Sequence, residues 1–143
     1  MIWGVKSLAC FDVWSFEHFF SGVSLGATFL VYMERYLKVD PNNRYHTYIY
    51  FSGVLMLTYC WETLEHYLET GLLGPEVTYW FQGVEFWANR MITDPLMNLA
   101  GAWVLLRARY IVKKGVRVFI FIWLVIHIFV FPHSMYLHEV GWF

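Results

Sequence analysis

Apolar and aromatic residues run through this chain in four long blocks, at about 16–36, 45–68, 84–106 and 116–132. Each block is close to the roughly 20 residues that a helix needs to cross a hydrocarbon core. Leu37 to Asn43, between the first two, is a polar turn containing Pro41 and two asparagines, and Gly71, Gly74 and Pro75 close the second. Tyr79, Trp80 and Phe81 fall between Gly71 and Gly83, where Tyr and Trp favour a headgroup region. The pattern predicts an all-α polytopic membrane protein with one transmembrane domain over residues 1–143. It would be a bundle of about four transmembrane helices, with a short interfacial segment between the second and third.

Composition points the same way: 59% hydrophobic and 22% aromatic residues against 15% charged over 143 residues. A formal charge of -1 gives no reason to expect nucleic acid as a partner. Cys10 lies before the first block and Cys60 inside the second, so neither a disulfide framework nor a CxxC metal pair is available from sequence. Only nine residues precede Cys10 and Lys6 interrupts them, so no removable signal peptide is expected. Eight of the ten basic residues flank the first and third loops, which by the positive-inside rule predicts both termini on the non-cytoplasmic side.

That topology gathers most of the acids and histidines at one end. Glu62, Glu65, His66 and Glu69 stand at i, i+3, i+4 and i+7 on one helical face. Arg90, Asp94, Asn98 and Gly101 make a second stripe. His18, Gly22 and Gly26 make a third, whose small residues allow another helix to approach closely. Glu69, Glu76 and Glu139 are expected in solvent, and His133 and His138 in an aromatic-rich tail. A purely structural reading pairs Arg90 with Asp94 or Glu62 and leaves His18 as a hydrogen-bonded core residue. Charges are costly inside a bilayer, so the cluster is a candidate functional site by default.

The order of these residues resembles the VanZ-like family of small multi-span membrane proteins, together with neighbouring uncharacterised bacterial membrane proteins. The similarity rests on Ser15 to His18 with Gly22, on Trp61-Glu62-Thr63-Leu64-Glu65, and on Arg90 followed by Asp94, Asn98 and Gly101. It spans roughly residues 12 to 103. The chain departs from the family pattern where an Asp-Lys pair precedes the histidine: Ser15 holds the aspartate position and Asp12 lies one turn earlier. The resemblance implies a compact helical membrane fold, a bacterial or archaeal inner-membrane location and a link to cell-envelope lipid or glycopeptide response. It implies no particular reaction.

Three readings of the cluster stay open. The first is a site near the non-cytoplasmic face that binds or acts on a lipid head group. There Arg90 is the phosphate partner, Asn98 a second binding residue, and His18, Glu62, Glu65 and Asp94 the catalytic candidates. The second is an accessory subunit packed against other membrane protein subunits. The third is a metal centre, di-metal or haem, with His18, Glu62 and His66 as candidate ligands, since carboxylates and histidines on facing helices build such sites. The cofactor itself is not fixed by the sequence, and no phosphate-binding loop, dinucleotide fingerprint or nucleophile elbow is present.

Overall fold

The computed structural model describes residues 1–81, 83–108, 115–116, 118 and 121–122. Asp12 starts the first helix. Its carboxylate accepts from the Ser15 amide at 3.1 Å while the Ser15 hydroxyl accepts from the Asp12 amide at 3.2 Å, a reciprocal cap that satisfies two orphan donors. Helix α1 spans Val13–Tyr32 and runs into a π-helical turn, Met33–Leu37, ended by Lys38 in the left-handed region. In the connecting turn Asp40 Oδ1 accepts from the Asn42 amide at 2.8 Å and Asn43 Oδ1 from the Tyr45 amide at 2.9 Å, as short polar side chains do in turns.

Helix α2 covers His46–Glu69, and Gly71 and Gly74, both at positive φ, reverse the chain into the short helix α3, Pro75–Phe81. A non-helical stretch and a π-helical turn, Asn89–Thr93, then lead into α4, Asp94–Arg107, whose first position is followed by Pro95. The N-terminal segment folds back over this end of the molecule. Gly4 donates to the Phe11 carbonyl, and Phe86 donates to the carbonyl of Lys6 at 2.9 Å.

Two closely approaching backbones set the geometry. A side chain on Gly22 would collide with the carbonyl of Asn98, and one on Gly101 with the carbonyl of Phe19, so α1 and α4 lie in direct backbone contact. Below this crossing sits the apolar core of Leu30, Met33, Tyr50, Val54 and Ala102, with the Tyr50 hydroxyl donating to the Ala102 carbonyl at 3.0 Å. Above it the interior is polar. Among the described residues fifteen polar or charged side chains are buried against nine apolar ones, so apolar burial cannot be what organises that end. Large side chains such as Trp61, Leu73, Trp87 and Trp103 stay on the surface.

The all-helical expectation agrees with this architecture, but the membrane-spanning one is corrected by it. Among the described residues no helix is long and apolar enough to cross a membrane. Helix α1 carries Glu17 and His18 within its 20 residues, and α2 carries Glu62, Glu65, His66 and Glu69 within its 24. The third predicted span, 84–106, opens with a non-helical stretch, 84–86, and the helical run that follows, 87–107, contains the π-helical turn Asn89–Thr93 and turns Arg90, Asp94 and Asn98 into the interior. The four-span transmembrane bundle, the integral inner-membrane location and the orientation of the termini across it therefore have no support in the described helices. Most of the fourth predicted span, 116–132, and the tail histidines lie outside the described residues.

The α1–α4 contact makes a direct prediction. Gly22→Ala and Gly101→Ala should each lower stability by about 1–3 kcal/mol, read from the urea unfolding midpoint, because neither backbone can retreat without opening the crossing. Unchanged midpoints in both variants would contradict this packing.

Candidate functional site

The polar end is built from three helices and the N-terminal segment. From α2 come Glu62, Glu65 and Glu69, all buried. At about 100° per residue, Glu65 and Glu69 lie about 60° and 20° to one side of Glu62, and His66 about 40° to the other side. His66 is indeed exposed, although its Nδ1 lies 3.1 Å from Arg90 Nη1. The π-helical turn and α4 supply Asn89, Arg90, Asp94 and Asn98, and α1 supplies His18.

His18 sits at the centre. Its Nδ1 lies 3.1 Å from Asn98 Nδ2 and 3.4 Å from Glu62 Oε1, and its Nε2 is 3.4 Å from Asp94 Oδ2. An amide NH₂ can only donate, so Nδ1 is the acceptor and the ring proton is assigned to Nε2, facing Asp94. Asn98 Nδ2 also reaches the Asp94 carbonyl at 3.2 Å. These contacts bring together His18, Glu62, Asp94 and Asn98, with Glu65 beside them.

A second knot lies next to the first. Glu69 accepts from Lys6 Nζ at 2.6 Å, from Arg90 Nη2 at 2.5 Å and from the Glu85 amide at 3.1 Å. Arg90 also approaches Glu85 at 3.4 Å and Glu62 at 3.8 Å. Glu85 accepts from Asn89 Nδ2 at 2.6 Å, and Ser15 donates to Asn89 Oδ1 at 3.4 Å, which ties the cap of α1 to the cluster. Lys6, Asp12, Glu69, Glu85 and Asn89 were not among the catalytic, binding or metal candidates expected from sequence. Glu69 is buried rather than solvated. The usable signal was its i+7 spacing from Glu62; nothing local marks Lys6.

Charge at this end is unbalanced. Among the described residues six buried carboxyl groups (Asp12, Glu62, Glu65, Glu69, Glu85, Asp94) face two buried cations, Lys6 and Arg90, and both cations reach Glu69. Both oxygens of Glu62 and of Asp94, and Oε2 of Glu85, meet no N–H or hydroxyl donor there, and Asp94 and Glu85 lie close enough to share a proton. The consequence is visible in the proton affinities. Burial, then the neighbouring carboxylates Glu65 and Glu85, push Glu62 up to about 9. Burial and then Glu85 push Glu65 up to about 7. Asp94 is raised by burial and by Glu85 facing it, and Glu85 by burial. His18 is lowered to about 4 by burial, then by Lys6 and Arg90, and is therefore neutral at pH 7.

Three sets of donor atoms lie within 4.8 Å of one another: His18, Glu62 and Glu65; Glu62, Glu85 and Asp94; and Glu65, Glu69 and Glu85. The first two share Glu62. The third includes Glu69, whose charge is already met by Lys6 and Arg90. His66 belongs to none of them.

Comparison with family models, with curated proteins and with solved structures finds no match for this chain. The motif resemblance noted from sequence thus stands on its residues alone, and the site has to be read from its own chemistry.

The raised carboxyls set the pH dependence of the cation-free fold. Glu62 rises from an ordinary 4.5 to about 9, so it contributes stability that is full below about 4.5 and lost as pH climbs to about 9. His18, lowered from 6.5 to about 4, acts oppositely: its contribution is full above 6.5 and lost as pH falls to about 4. With Glu62, Glu65 and Asp94 outweighing one imidazole, urea unfolding in chelator should show stability falling between about pH 5 and 9. Glu62→Gln should flatten that slope; a profile that rises with pH in the unsubstituted protein would overturn the assignment.

Proposed function

We propose that this chain is a metal-binding helical protein whose centre holds divalent transition-metal ions, one between His18, Glu62 and Glu65 and a second between Glu62, Glu85 and Asp94. Glu62 bridges the two. The observation that carries this reading is the set of buried carboxylate oxygens on Glu62 and Asp94 that no N–H or hydroxyl donor among the described residues satisfies. A buried, unpaired carboxylate is expensive, and it either takes up a proton or meets a cation. Lys6 and Arg90 supply that cation for Glu69 and leave an excess of four carboxyl groups, which suits two divalent ions.

Donor chemistry narrows the choice. Carboxylates with one imidazole favour manganese or iron over a thiolate-loving ion, and both cysteines lie outside these donor sets. Carboxylates and histidines projecting inward from facing helices are also how di-iron and di-manganese bundles are made, though among the described residues one histidine rather than two lies at the centre. Asn98 fixes the imidazole in place, its Nδ2 lying 3.1 Å from His18 Nδ1.

The same geometry weighs against an anion as the resident ligand. Arg90, the natural phosphate partner, is ringed by Glu62, Glu69 and Glu85. An incoming phosphate would have to displace carboxylates from a region already rich in negative charge.

Protein purified without chelator should contain manganese or iron at about one to two atoms per chain. Glu62→Gln should abolish this, because it removes the shared ligand. Asp94→Asn should lose only the second atom. Calorimetric titration of chelated protein with Mn²⁺ should release protons, and binding should tighten as pH rises from about 6 to 9, since Glu62 and Glu65 must first ionise. A well-folded protein that takes up no divalent ion at either pH would sink the proposal and leave a cluster of protonated carboxyls.

A further inference from the structure

The two metal positions differ in what lies beside them. His18 and Glu65, ligands of the first, line a pocket of about 170 Å³ between α1, α2 and α3, walled by the rings of Trp14, Trp61 and Phe81. A wider groove of about 590 Å³ also reaches His18 and continues past Leu25, Leu57 and Leu64. Glu62, Glu85 and Asp94, the ligands of the second, line neither space. The first position is therefore the one that a molecule from outside can approach.

That position also takes further ligands. His18, Glu62 and Glu65 offer one donor atom each, whereas manganese and iron commonly accept up to about six. Charge narrows what joins them. Two divalent ions together with Lys6 and Arg90 balance the six buried carboxylates, so an added charge of either sign goes uncompensated. An anion finds no lysine or arginine in either lining. A cation meets the metal ions on one side and the Lys6 ammonium on the other, which already lies 5.8 Å from the Trp14 centroid and 5.6 Å from that of Phe81. A neutral oxygen donor escapes both penalties and suits manganese or iron. Past His18 the groove is lined by leucines, which favour an aliphatic chain behind that oxygen.

We propose that the centre binds an aliphatic alcohol. Its hydroxyl oxygen reaches the ion held by His18, Glu62 and Glu65, and its alkyl chain lies along Leu25, Leu57 and Leu64. The inference rests on the metal reading and adds to it the class of molecule that the first ion receives.

Titration of the Mn²⁺-loaded full chain with butanol, hexanol and octanol tests this through the water-proton relaxation rate, which reports water on the bound ion. The relaxation enhancement should fall saturably, and affinity should rise roughly two- to four-fold per added methylene as the chain is buried. Hexanoate and hexylammonium should bind at least about tenfold more weakly than hexanol. Leu64 is exposed, so Leu64→Ser should leave the unfolding midpoint and Mn²⁺ content unchanged while weakening octanol about three- to tenfold and butanol not at all. Either charged analogue binding as well as hexanol, or octanol affinity unchanged in both Leu57→Ser and Leu64→Ser, would overturn the proposal. A chain that takes up no Mn²⁺ overturns the metal centre and this inference together. Bound Mn²⁺ whose relaxation is indifferent to all three alcohols overturns this inference alone.

Discussion

Excess buried negative charge around Glu62 is the constraint on which the upper half of this molecule depends. Helix α2 presents three glutamates inward, the non-helical stretch before the π-helical turn adds Glu85 and the first residue of α4 adds Asp94, and among the described residues Lys6 and Arg90 answer them. The fold meets this charge in two ways. Around Glu69 it supplies cations from the protein itself, by folding the N-terminal segment back so that Lys6 reaches a partner 63 residues away. Around Glu62 it supplies only the longer Arg90 contact at 3.8 Å, too little to offset burial and the neighbouring carboxylates, so the carboxyls there hold protons. Removing one partner from a buried ion pair commonly costs about 3–5 kcal/mol, which makes the Lys6–Glu69–Arg90 knot a fixed wall against which the second half can respond to pH and cation.

The lower half explains why the polar end can be so weakly apolar and still be held in place. Gly22 and Gly101 let α1 and α4 meet backbone to backbone, and Tyr50 ties α2 to Ala102 from the opposite side. His18 stands one turn before Gly22, and Asn98 lies directly against it, so the imidazole and its amide partner are positioned by the packing rather than by flexible side chains. The π-helical turn at Asn89–Thr93 widens the backbone just before Asp94, a feature often found at functional sites.

Much of this site could be read along the chain. The Arg90, Asp94, Asn98 and Gly101 stripe lies on one buried face, and His18, Gly22 and Gly26 share the face that meets it. In α2 the spacing argument placed the buried face correctly for Glu62, Glu65 and Glu69 but carried His66 with them, because i+4 and i+3 straddle a stripe and cannot both be central. Lys6 and Asp12 were invisible as site residues. One arrives by a long-range fold-back and the other is a helix cap, and neither leaves a periodic signal. The membrane expectation failed for a different reason. Block length and aromatic content register apolar mass, but not that residues 84–86 are non-helical, nor that the helices carry too many polar groups per turn.

Anomalous X-ray scattering from crystals grown with Mn²⁺ tests the central claim most directly. The account predicts two manganese peaks separated by about 3.5–4 Å, one beside His18 and Glu65 and one beside Glu85 and Asp94, with Glu62 between them. Glu62 and Asp94 turned toward each other or toward ordered water, with no anomalous density at either position, would contradict it.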